Sequence, residues 1–173
     1  MPSYPRPQAD ETAPYYHRYI NRVPDGDILA TLAEQIQATD NLLRQLPEEK
    51  ADFRYAPGKW SVKEALGHLF DTERVFTYRA LTFARADEVE LPNMDQDAWV
   101  VHSGFHQRSL GSILDEAHVI RASSIALFRH LPDEAPTRRG IASANSMSVR
   151  AVPWILAGHE LHHHEVFREK YGI

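Results

Sequence analysis

The 173-residue chain has no cysteine. This excludes a disulfide-stapled scaffold and any thiolate metal site, so a bound metal would have to be held by histidine and carboxylate. Thiol chemistry would need a thiol brought from outside. Glycine is sparse, at eight residues, and the overall composition is that of an ordinary globular protein, which excludes collagen-like and low-complexity chains. No apolar run reaches the roughly 18 residues of a membrane span. The opening Met1-Pro2-Ser3-Tyr4-Pro5-Arg6-Pro7 has no apolar stretch behind a basic region, so no secretory signal is expected. Basic charge is in deficit too. Nineteen Lys+Arg against 24 Asp+Glu give a formal charge of −5, which argues against a general nucleic-acid binder. The expectation is a soluble cytoplasmic protein whose partner is a small molecule, with neither nucleic acid nor membrane.

The chain does have 43% hydrophobic residues, enough for one domain with a sizeable core, and ten histidines. Strand patterns are missing, while helical periodicity recurs four times. Residues 1–26, rich in proline and carrying Tyr15, Tyr16 and Tyr19, read as an extended lead-in lying over a domain of residues 27–173. The first helix is predicted from about Asp27, a cap, to Leu46 before Pro47. Ile28, Leu29, Leu32, Ile36 and Leu43 form its stripe. The second begins at a capping box, Ser61 with Glu64, and runs to about Ala86. The third spans about Ser109 to Leu131. The fourth spans about Val149 to Tyr171, with Pro153 tolerated in its first turn and Gly172 as a stop. Amphipathic helices of this kind bury their stripes against one another, so an all-α four-helix bundle is predicted. Its connections, of about 14, 22 and 17 residues, are long enough to carry function or short extra helices, and they free consecutive helices from being antiparallel neighbours.

The apolar stripe of the fourth helix contains His159 and His163, spaced i, i+4, so that both rings share one face. His68, near the edge of the second helix's stripe, can face them. Buried imidazoles are costly unless their nitrogens are satisfied. Three of them with open positions form the pattern of a catalytic zinc site, equally suited to nickel, cobalt or iron. The alternative is three separately hydrogen-bonded core histidines. His162, one turn from His159, rivals His163 as a ligand. His102 and His106 are weaker candidates for a cleft rim. Residues 159–163 also spell H-E-x-x-H, which in zinc peptidases supplies two ligands and a general base, here Glu160. The extended form of that motif would need glycine at 166 and histidine at 169, where this chain has Val166 and Glu169.

The run Lys59-Trp60-Ser61-Val62-Lys63-Glu64-Ala65-Leu66-Gly67-His68-Leu69-Phe70-Asp71-Thr72-Glu73-Arg74 resembles the second helix of the DinB-like proteins. Their bundle is shared with YfiT-type proteins read as metal hydrolases and with bacillithiol- and mycothiol-dependent transferases. Ala157-Gly158-His159-Glu160-Leu161-His162-His163-His164 resembles the other half of that signature. Asp95-Gln96-Asp97-Ala98-Trp99 is similar to a loop of one branch. The resemblance covers roughly residues 27–171. It implies one divalent metal ion (zinc, nickel or iron) on His68, His159 and His163, a homodimer, and a low-molecular-weight thiol or water as the activated group. Asp71, at i+3 from His68, is a candidate to orient that ring or to act as acid or base, and Glu160 is a second. Arg74, Arg121 and Arg150 are candidates for a substrate carboxylate, whereas Trp60 and Trp99 are expected to pack. The expected function is a metal-dependent transfer of a small thiol or hydrolysis of a small substrate. The alternatives are a non-catalytic metal- or ligand-binding dimer and a zinc peptidase.

Overall fold

A computed structural model describes residues 2–86 and 90–173; Met1, the first residue of the expected lead-in, falls outside them. The helices are α1 (Pro14–Ile20), α2 (Ile28–Leu43), α3 (Glu48–Ala51), α4 (Val62–Ala84), α5 (Gln96–His102), α6 (Leu110–Arg129) and α7 (Ala151–Val166). Strands β1 (Arg139–Ala142) and β2 (Asn145–Ser148) lie between α6 and α7. The four long helices α2, α4, α6 and α7 are those expected from periodicity. Their caps are as read: Asp27 accepts from the Leu29 and Ala30 amides, and Ser61 and Glu64 close the reciprocal box at the start of α4. Beyond Val166 the last helix loosens into a π-helical turn, which Gly172 ends in the left-handed conformation.

Two expectations are corrected. The lead-in is not extended throughout. Pro14 opens α1 at a position that needs no amide hydrogen, and α1 packs on α7. The chain is also not purely helical. Arg139–Ala142 and Asn145–Ser148 pair as an antiparallel hairpin, and Leu91 bridges to Ala142. The turn residues Ser143 and Ala144 take φ of +53° and +59°, values that hairpins usually assign to Asn and Gly. The sequence therefore carried no turn signal there.

The bundle has two apolar clusters. One holds Ile28, Leu32, Phe76, Phe83, Phe128 and Trp154; the other holds Leu43, Leu66, Phe70, Leu110, Leu114 and Phe167. Helices α2 and α7 run from the first cluster to the second, and α4 and α6 run between the same two. Each of α4 and α7 contacts the other, α6 packs on α4 and α2, and α2 packs on α7. In α4 and α6 alike the second cluster comes first along the chain, so these neighbours are parallel, which their long connection permits. Between the clusters lies a polar waist to which every long helix contributes: Gln35 and Thr39 from α2, His68, Thr72 and Glu73 from α4, Arg121 and Ser124 from α6, and His159, Glu160, His163 and His164 from α7, all of them buried.

Candidate metal centre

Buried polar groups persist only when paired, so this waist must satisfy itself or hold a ligand. Half of it is self-sufficient. The Arg121 guanidinium donates to Glu73 through Nε (3.0 Å) and Nη2 (2.8 Å), to Glu160 through Nη2 (2.7 Å) and to the Leu32 carbonyl through Nη1 (2.7 Å). The other Glu160 oxygen accepts from the Thr39 hydroxyl, which also lies 2.6 Å from His164 Nε2. Two carboxylates against one guanidinium leave formal negative charge buried in this layer.

The other half is not self-sufficient. His68, His159 and His163 each offer one nitrogen, and these atoms lie within 4.8 Å of one another. Ring centroids stand 4.7 Å apart for His159 and His163, 5.3 Å for His68 and His159, and 5.5 Å for His68 and His163. The Nε2 atoms of His159 and His163 are 3.1 Å apart. Two nitrogens bound tetrahedrally to one ion at about 2.05 Å would stand roughly 3.3 Å apart. Both Nδ1 atoms are buried with no hydrogen-bond partner, and His68 Nδ1 has the Thr72 hydroxyl at 3.4 Å. Burial pushes the His68 pKa down to about 4, and the 159 and 163 rings are held well below their ordinary value, by burial first and by the neighbouring imidazoles second. At neutral pH all three are uncharged and present lone pairs. Three neutral, converging imidazoles beside buried negative charge fit a divalent cation.

Local sequence explains the convergence. A glycine precedes a ligand on each helix. A β-carbon at Gly67 would overlap the Phe105 ring, and one at Gly158 would overlap the Tyr19 backbone carbonyl. The second contact lets α1 lie directly on α7 and places the Tyr19 ring edge-on to His159, 5.2 Å between centroids. Two cavities reach the triad. One, of about 320 Å³, is lined by His68, His159, Thr72, Phe76, Arg79 and the tyrosines of α1. The other, of about 270 Å³, is lined by His163, His162, Trp60, Tyr55 and Tyr171.

Residues 31–167 match the family described as the DinB superfamily. The chain belongs to the DinB superfamily. The structure is also similar, with a TM-score of 0.70 over 94% of this chain and 91% of the other at 16% identity, to the solved structure of YfiT from Bacillus subtilis. That protein is described as a probable metal-dependent hydrolase with an unusual four-helix bundle topology. No curated protein matches this DinB-superfamily chain in sequence. Among its described residues no helix is long and apolar enough to cross a membrane.

The other candidate residues lie around the triad rather than in it. His162 is half-buried, lines the second cavity and stands outside the three-nitrogen group, whose third member is His163. Asp71 does not bond to His68; it pairs with Arg74 at 3.2 Å, and burial raises its pKa. Glu160 turns to Arg121 and Thr39, so the H-E-x-x-H reading has no base at the triad. The three arginines expected to meet a substrate carboxylate are each engaged by the chain's own carboxylates: Arg74 by Glu116, Arg121 by Glu73 and Glu160, and Arg150 by Glu11. Trp60 packs on the His68 ring at 4.7 Å, whereas Trp99, expected to pack, is 47% exposed. His106 lines a neighbouring cavity with Trp60; His102 is exposed.

Sequence reasoning missed Thr72, Phe76 and Arg79 as lining residues. They follow His68 at helical steps of four, four and three, a periodic signal that core packing produces equally well.

Proposed function

We propose that this protein is a divalent-metal-dependent enzyme that activates a thiol cosubstrate or water for transfer to, or hydrolysis of, a small molecule. The observation that carries the reading is the convergence of three neutral imidazoles at a point reached by two separate cavities. A divalent ion held there, with positions left open, lowers the pKa of a water or thiol that joins it. The chain's own residues supply the rest. His68, His159 and His163 hold the ion through ring nitrogens and stay unprotonated because they are buried. Tyr19 and Trp60 cover the rings from two sides and limit water. Two cavities give two small molecules separate approaches, as a bimolecular transfer requires. The reading also accords with the description of YfiT as a probable metal-dependent hydrolase.

A second reading is a non-catalytic bundle that holds its ion structurally. It is favoured by one observation: among the described residues, no carboxylate belongs to the three-nitrogen group. Metal analysis of protein purified without a histidine tag tests the first reading. Wild type is expected to carry close to one ion per chain and a His159→Ala, His163→Ala variant almost none; the same trace in both would refute it. Chelation separates the two readings. An apo protein that stays folded but no longer binds thiols supports the enzyme, and global unfolding supports the structural role.

A further inference from the structure

Two arginines are buried to a similar degree in this bundle, Arg121 at 1% exposure and Arg79 at 3%. Arg121 has two carboxylates. Arg79 has none among the described residues: its Nη2 donates to the Pro92 carbonyl (2.9 Å) and the Ser143 hydroxyl (3.2 Å), with Tyr16 alongside. A buried guanidinium without a counter-charge is expensive, and it recurs in proteins where an anion is to be recognised. Desolvation accordingly depresses the Arg79 pKa, while Arg121 is raised by its partners.

The place of Arg79 is specific. It lines the cavity that His68 and His159 line, and it lies eleven residues after His68, three turns along one face of α4. The Arg79 Cζ lies 4.9 Å from the centre of the Phe76 ring, one turn back along α4. The eleven-residue rise is roughly 16 Å. The guanidinium and the triad therefore stand apart along the cavity, with Thr72 and Phe76 between them on the same helix face. The cavity walls are mixed: Tyr16, Tyr19, Phe76 and Ile155 are aromatic or apolar, and Asn93 and Asn145 are polar.

We propose that this cavity binds an elongated small molecule with an anionic head, a carboxylate or its equivalent, on Arg79 and with the group to be activated at the three imidazoles. The inference rests on the metal reading for the identity of the second point, whereas the anion site stands on Arg79 itself. A fork of guanidinium donors binds a carboxylate oxygen pair, and the aromatic and apolar wall residues take the apolar chain between the ends.

The probes are 6-mercaptohexanoate, an elongated thiol with an anionic end, and the uncharged 6-mercaptohexanol. Calorimetric titration of the cobalt(II)-loaded and the metal-free full chain reads affinity, and the visible spectrum of cobalt reads metal and thiolate binding. Wild type is expected to prefer the acid by about tenfold or more, the contribution of one charged hydrogen-bonded pair. Arg79→Gln, which removes the charge and the guanidinium fork but keeps a polar side chain, is expected to abolish the preference for the acid over the alcohol. Arg79→Lys is expected to restore part of it. Equal affinities in wild type, or a preference that survives in Arg79→Gln, overturn the proposal. An acid preference that persists in a protein showing no cobalt spectrum upholds the anion site and sinks the metal reading alone.

Discussion

Replacing Arg121 by methionine would remove the cation at the centre of the polar waist. The side chain is buried and its two carboxylate partners are no more than 2% exposed, so water cannot take its place. The variant leaves two carboxylates buried together, one on α4 and one on α7, and removes the bond that the Leu32 carbonyl accepts from the guanidinium. Breaking a buried pair by deleting one partner costs about 3–5 kcal/mol, mostly as the penalty of the charge left behind. For a domain of this size that corresponds to a melting temperature lower by about 6–20 °C. Urea unfolding followed by far-ultraviolet circular dichroism reads the loss. A triple variant, Glu73→Gln, Arg121→Met, Glu160→Gln, removes the stranded charges and is expected to recover at least half of it. If Arg121→Met loses less than about 1 kcal/mol, or if the triple variant is no better than the single one, the waist is not held by charge pairing and the reasoning fails.

Three further predictions follow from individual contacts. Gly158→Ala drives a methyl group into the Tyr19 carbonyl and is expected to cost about 1–3 kcal/mol and to free α1 from α7; limited proteolysis should then cut near residues 20–26 before the bundle unfolds, and an unchanged cleavage pattern would count against the contact. Burial alone would raise the Glu11 pKa, but hydrogen bonds from Arg150 and Ser148 outweigh it and hold the carboxyl near 2 instead of 4.5. Its contribution is therefore complete above about pH 4.5 and is lost as the pH falls toward 2, a swing on the order of 3 kcal/mol that Glu11→Gln should remove from the acid limb of a stability–pH curve. Ser61→Ala opens the capping box at the start of α4 and should cost about 1 kcal/mol in urea, with the metal content unaltered.

The four long helices were legible because each has a 3.6-residue stripe, and because explicit caps or stops mark their ends, as at Asp27, Ser61 and Gly172. The triad was legible because the spacing of His159 and His163 and the apolar setting of His68 are local facts. The hairpin was not, since its left-handed turn is built from Ser143 and Ala144, residue types that carry no preference for that conformation. Pairing was illegible as well. Asp71 and Arg74 stand three residues apart and meet within one helix, but Arg121 meets Glu73 and Glu160 from 48 and 39 positions away. No periodicity announces which buried arginine is left without a carboxylate. Only the assembled fold shows that, among the described residues, it is Arg79.

X-ray absorption at the metal edge of protein reconstituted with zinc tests the centre most directly. Three imidazole nitrogens at about 2.0–2.1 Å, with an oxygen or added thiolate sulfur completing the shell, are predicted, and the imidazole count should fall to two in His68→Ala. A shell of oxygens, or an imidazole count that His68→Ala does not change, would contradict the account.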